Sequence, residues 1–206
     1  MRIAIIGIGN MGGALARAFA KAGHHVYLGV RNREDKKALE LECCNGNITL
    51  HPIEELRELA EVLVFCVVPP AVREVCELLQ PLHGKVIIDT MNSTHSHPDS
   101  FSNTFDALVH LLPGCHVVKA FNTTGFENIL HPSYGGIPID TFMAGKDAHA
   151  KDVVHRLAKD IGFGECYDFG GPEEVPLLED FARVWINLAL FQGYGRNIAF
   201  KMLKRS

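Results

Sequence analysis

The stretch RIAIIGIGNMGGALARAFAKAGHHVYLGV, residues 2–30, decides the fold. A short apolar run, Arg2 to Gly7, leads straight into the pattern Gly7-Ile8-Gly9-Asn10-Met11-Gly12. ALARAFAKAG then has helical spacing, and a second apolar run covers residues 25–30. Strand, glycine turn, helix and strand in this order make the opening unit of a dinucleotide-binding fold. The three glycines have separate tasks. Gly7 permits the tight turn, Gly9 lets the backbone approach a pyrophosphate, and Gly12 lets helix and strand pack closely. The helix N-terminus then presents free N–H groups to the phosphates.

The pattern continues outward. Apolar runs recur at residues 62–68, 85–90 and 116–121, separated by the helical stretches IEELRELAE and AVREVCELLQ. Several runs are continuously apolar, as expected of strands buried on both faces of a parallel sheet. Alternation of strand and crossover helix predicts a doubly wound α/β fold with a mostly parallel sheet. Beyond residue 135 the sequence predicts a strand over 139–145, a helix from Asp147 and a strand over 164–169. A C-terminal helix is expected to start around Glu173 to Pro176 and run through LLEDFARVWINLALFQ. Its end, VWINLALF, is apolar nearly all round, so it should be buried between the sheet and a second subunit or a ligand. After Gly193 and Gly195, NIAFKMLKR predicts a short helix with cations at its C-terminal end.

Composition narrows the function classes. The chain has 206 residues, 47% of them hydrophobic, and a net charge of −4. It can bury a substantial core and carries no basic field to attract nucleic acid or an anionic membrane. No signal peptide and no membrane span are read. Six cysteines lie scattered without a CxxC pair, which fits reduced thiols in a cytoplasmic setting.

The residue after the second strand selects the nucleotide. A dinucleotide site for NAD carries an acid there, about 20 residues past the glycines, to hold the ribose hydroxyls. Here Val30, Arg31 and Asn32 occupy the place and none is acidic. Arg31 offers a planar charged fork to a 2′-phosphate, and no carboxylate stands there to repel it, so NADP(H) is expected rather than NAD. A second cofactor contact is expected at Val67 to Pro70, where another strand ends and two prolines fix the loop.

Taken together, GIGNMGGALARAFAKAGHHVYLGVRN, VVKAFNT and QGYGRNIAFKMLKR resemble one family across nearly the whole chain. It is the family of NADP oxidoreductases dependent on coenzyme F-420, to which the oxidoreductase domain of the six-transmembrane metalloreductases is related. The resemblance implies a Rossmann domain over residues 1–135. It also implies an extension over 136–206, packed on that domain as one compact unit and supplying an acceptor pocket and a dimer contact. It implies hydride transfer between NADPH and F-420 or a flavin such as FMN or FAD. By position, Ile8, Gly9, Asn10 and Met11 would cradle the pyrophosphate, Val30 and Arg31 would meet the 2′-phosphate, and Val68, Pro69 and Pro70 would border the nicotinamide. The family commonly has a hydroxyl residue where Val30 stands. AFNTTGF, residues 120–126, would cover the nicotinamide and meet the substrate through Asn122, Thr123, Thr124 and Phe126. Asn122 and Gly125 replace a histidine and a proline there, which is closer to the metalloreductase branch. A homodimer through the C-terminal helix is implied as well.

No catalytic dyad is read, in keeping with hydride transfer to a stacked ring, which needs positioning more than proton chemistry. A carbonyl or imine substrate would need a proton donor. Lys119, His131 and Tyr134 are the candidates, although Lys119 at a strand end is expected to reach toward water. His95 and His97 with Asp99 match no standard metal spacing, and no metal is expected. Two alternatives stand beside the flavin or deazaflavin reading: a small carbonyl or imine reductase, and a module that senses NADPH without turnover.

Overall fold

The computed structural model describes residues 1–205. The strands are β1 (Arg2–Ile6), β2 (His25–Gly29), β3 (Ile48–His51), β4 (Val62–Phe65), β5 (Val86–Asp89), β6 (His116–Ala120), β7 (Ser133–Tyr134), β8 (Ile137–Pro138), β9 (Asp140–Gly145) and β10 (Glu165–Asp168). The helices are α1 (Asn10–Lys21), α2 (Lys36–Cys44), α3 (Leu56–Leu59), α4 (Val72–Leu79), α5 (Thr104–Leu111), α6 (Phe126–Leu130), α7 (Ala148–Asp160) and α8 (Val175–Ile186). Eight strands form one sheet in the order β10-β9-β6-β5-β4-β1-β2-β3, and β7 and β8 form a separate small ribbon. Every neighbouring pair in the large sheet is parallel except β6 with β9. The chain folds as the doubly wound, Rossmann-type α/β protein expected.

The two-residue period of a strand divides the core. Ile3 and Ile5 of β1 face a cluster that includes Leu15 and Phe19 of α1 and Val154 and Leu157 of α7. Ala4 and Ile6 face the opposite cluster, with Val72, Val75 and Leu79 of α4, Phe105 and Leu108 of α5, and Val175 and Leu178 of α8. Both faces of the sheet are therefore covered, which is why β4 and β5 are apolar almost without a break and buried throughout.

Three expectations are corrected. NIAFKMLKR is not a helix but an extended strap, because other elements take up its polar groups. Ile198 O accepts from Trp185 Nε1 and Asn128 Nδ2. Phe200 O accepts from Asp140 N, and Asp140 accepts in turn from Lys201 Nζ and Met202 N. The C-terminal helix is also shorter than expected. The α-helical part of α8 ends at Ile186, and Asn187–Phe191 continue as a wider π-turn. Within the single chain VWINLALF is not enclosed: Trp185 and Ala189 point inward, while Val184, Leu190 and Phe191 stay exposed. Thirdly, Lys119 does not reach water. Its side chain is fully buried and paired with Asp89 and Glu179.

Candidate functional site: a crevice at the carboxyl edge of the sheet

β1, β2 and β4 deliver their carboxyl ends to one crevice of about 360 Å³. Gly7, Ile8, Val30, Arg31, Asn32 and Val68 line it together, so residues from three separate stretches of sequence meet there. Pro69 and Pro70 open the short turn that leads into α4. Val67 lines the crevice too, and so do Asp35, Ile53, Ala71 and Val75, which were not anticipated. Ala71 and Val75 are one helical turn apart at the start of α4, and that spacing was the available signal.

The glycines divide as their tasks require. Gly7 has φ +96°, and a Cβ there would lie 2.5 Å from the Cys66 carbonyl oxygen. A Cβ on Gly12 would run into the Gly7 carbonyl oxygen. Both are glycine for reasons internal to the fold. Gly9 differs, since a Cβ there would meet nothing within 4 Å. Gly9 N-caps α1 without any side-chain hydrogen bond, whereas Asp35 caps α2 and Asp147 caps α7 through their carboxylates. The first N–H groups of α1, those of Asn10 and Met11 among them, are thus left for an external acceptor beside open space. This is the condition for anion binding at a helix N-terminus.

The rim of the crevice carries the charge. Arg31, at the end of β2, donates from Nη2 to Glu74 Oε2 of α4 at 2.7 Å, and both side chains are more than half exposed. Asn32 Oδ1 accepts from Glu34 N and shapes the turn after Arg31.

The predicted nicotinamide end lies at the carboxyl ends of β5 and β6. Phe121 is fully buried with φ +61°, a conformation that a bulky residue adopts only under constraint from its surroundings. The left-handed step places Asn122 beside Asn92. Asn92 Nδ2 donates to Asn122 O and Asn122 Nδ2 donates to Asn92 Oδ1, both at 2.9 Å. Asn122 Oδ1 is buried without a partner within the chain. Thr123 is buried as well. Thr124 Oγ1 accepts from Asn128 Nδ2, and the Phe126 ring lies under the Arg196 guanidinium, whose carbon is 5.2 Å from the ring centroid.

Two of the three candidate proton donors are engaged elsewhere. Tyr134 Oη donates to Asn128 Oδ1 at 2.6 Å, and burial raises its pKa above the ordinary phenol value. Lys119 is closed off in its ion-pair network, and His131 lies exposed at the end of α6. Asp99 turns to Arg73, and His97 Nδ1 bonds Ser102 O. Among the described residues no three His, Cys, Asp or Glu side chains converge as metal ligands. Burial pushes the thiol of Cys66, next to the glycine turn, up to about 12, so it is no nucleophile at neutral pH.

Fold and crevice together define a doubly wound α/β protein with a cleft at the strand carboxyl ends. Residues 2–93 match the family described as NADP oxidoreductase, coenzyme F420-dependent. The metalloreductase STEAP3 of Rattus norvegicus is 27% identical over 164 residues, which are 79% of this chain and 32% of the relative. The chain thus spans about a third of the length of that curated relative. A solved structure from Arthrobacter sp. FB24, described as a proposed F420-dependent NADP-reductase, superposes with a TM-score of 0.82 at 25% identity. The match covers 99% of this chain and 100% of the other. A reductive aminase from Aspergillus terreus, solved with NADPH and ethyl-5-oxohexanoate, shares the fold with a TM-score of 0.68 at 23% identity, over 93% of this chain and 63% of the aminase. Among the described residues no helix is long and apolar enough to cross a membrane.

Proposed function

We propose that the protein is an NADP(H)-dependent oxidoreductase that passes hydride between NADPH and a flavin or deazaflavin such as FMN, FAD or F-420. The observation that carries the cofactor half is Gly9, an uncapped helix start facing open space directly after Gly7 and Ile8, which line the crevice together with Arg31. In this reading residues 1–135 bind the cofactor, and residues 136–206 bound the acceptor and form the contact of a homodimer. When bound, the dinucleotide would supply a dihydronicotinamide as the hydride donor. The chain's own residues bind and orient. Gly7 to Gly12 receive the pyrophosphate, Arg31 with Val30 and Asn32 receives the 2′-phosphate, and Val68 to Pro70 border the nicotinamide. Asn122 Oδ1 provides a buried acceptor for an amide N–H, and a satisfied partner there would recover about 1–3 kcal/mol of desolvation.

The acceptor half is supported by the family and by what the crevice lacks. Its lining is largely apolar, and outside it the Lys119 ammonium is committed to Asp89 and Glu179 and the Tyr134 hydroxyl to Asn128. Transfer to a ring that delocalises the added electrons asks for less proton supply than reduction of a carbonyl. The test is NADPH oxidation by the purified protein with F-420, FMN and FAD in turn, and with NADH as control. Turnover with one acceptor and a preference for NADPH supports the reading. Tight NADPH binding without turnover on any of them would favour a sensing module.

A further inference from the structure

Arg31 and Glu74 come from opposite walls of the crevice. Arg31 ends the β2 wall, and Glu74 lies on α4 between Ala71 and Val75, both of which line the cleft. Their 2.7 Å hydrogen bond therefore spans the rim. The bond uses a guanidinium N–H, the group that a 2′-phosphate would need. We propose that Glu74 is the specificity-determining counter-anion of the site: it occupies the phosphate's place on Arg31 in the free protein and sets how strongly the site prefers a 2′-phosphorylated nucleotide. This rests on the NADP(H) reading above.

The sign follows from charge. A 2′-phosphate is close to a dianion and competes for Arg31 with a carboxylate monoanion in an exposed, well-screened setting. The phosphate displaces Glu74, but the site loses the Arg31–Glu74 bond, and a carboxylate remains beside the incoming charge. A nucleotide with a plain 2′-hydroxyl leaves the pair intact. Glu74 thus weakens binding of the phosphorylated form alone. An exposed pair has a modest effect, so replacing Glu74 should change affinity roughly two- to fivefold.

The experiment is calorimetric titration of Glu74→Gln, Glu77→Gln, Arg31→Ala and the unaltered protein with NADPH, NADH, 2′,5′-ADP and 5′-ADP. Glu77 is an exposed acid on the same helix, so its variant makes the same change in net charge. We expect Glu74→Gln to tighten NADPH and 2′,5′-ADP by that factor, leave NADH and 5′-ADP unchanged, and exceed Glu77→Gln. Equal effects of the two glutamine variants, equal effects on both nucleotide classes, or weaker NADPH binding in Glu74→Gln would overturn the proposal. Such results with Arg31→Ala still selective against NADPH would leave the cofactor reading standing. An unaltered protein that binds neither NADPH nor NADH would overturn both.

Discussion

Lys119 Nζ stands 2.6 Å from Glu179 Oε1, which ties β6 in the sheet to α8 in the C-terminal segment. The same ammonium is 3.1 Å from Asp89 Oδ2 and 3.2 Å from Thr104 Oγ1. Thr104 also donates to Asp89 at 2.7 Å. One lysine thus joins two strands, α5 and α8. Removing one member of a buried ion cluster strands the others in a medium that solvates them poorly. Lys119→Met should cost about 3–5 kcal/mol, read from urea unfolding. A loss below about 1 kcal/mol would show that the cluster behaves like a surface pair.

The glycines give a contrast between ligand and fold. Gly9→Ala places its methyl in open space at an ordinary φ of −61°, so its urea midpoint should stay close to that of the unaltered protein. Its NADPH affinity should fall about tenfold or more, equivalent to ~1.4 kcal/mol, because that space is assigned to the pyrophosphate. Gly12→Ala should instead lose about 1–3 kcal/mol of stability, since its methyl meets backbone. Unaltered NADPH affinity in Gly9→Ala would remove the phosphate from this position.

The thiols should separate by burial. Cys43 and Cys44 are exposed, while burial pushes Cys66, Cys76 and Cys166 up to about 12 and raises Cys115. A disulfide reagent at neutral pH should modify Cys43 and Cys44 rapidly and the remaining thiols only after denaturation.

The same shifts fix an alkaline limit. The ordinary thiol value is 9.0, and the fold raises it. The stability from keeping these thiols neutral is complete below pH 9. It is lost as the unfolded chain ionises first, with pH rising toward about 12. Urea midpoints should therefore decline above pH 9, and Cys76→Ala with Cys166→Ala should flatten the decline. An unchanged slope would assign the alkaline loss to other groups.

Leu190 and Phe191 are 51% and 69% exposed on the turn that follows α8. In the proposed homodimer they are covered. Leu190→Asp with Phe191→Asp should then sediment as a monomer with unaltered far-UV circular dichroism, against a dimer for the unaltered chain. Identical sedimentation of the two would place any self-association elsewhere.

How far the sequence could be read depended on how local each determinant is. β1, β2 and the glycine turn are adjacent in the chain, and their pattern is complete by Val30. β3 escaped notice because ITLH is only four residues long and gives no sustained alternation. α5 was readable in principle: Asn103 accepts from Asp106 N as its N-cap, and the sequence NTFD shows that signal. The strap over residues 197–205 was not. Its cations and apolar spacing suit a helix, and only Asp140, Asn128 and Trp185, far away in sequence, hold it extended. Likewise the place of Arg31 after the second strand was visible in the sequence, but Glu74, 43 residues away, became its partner only through the fold. The left-handed Phe121 left no local signal, since nothing in the residue type favours that conformation.

The hydrogen bond from Trp185 Nε1 to Ile198 O has an optical consequence. Trp185 is the chain's single tryptophan and is almost wholly buried, so all indole emission comes from one dry site clasped by the strap. A dihydronicotinamide absorbs where such an indole emits. Bound NADPH should therefore quench that emission by resonance energy transfer. A loosened strap should shift it to the red as water reaches the ring. The protein should thus report both the proposed ligand's occupancy and the seating of its tail through one native fluorophore, by intensity and by wavelength.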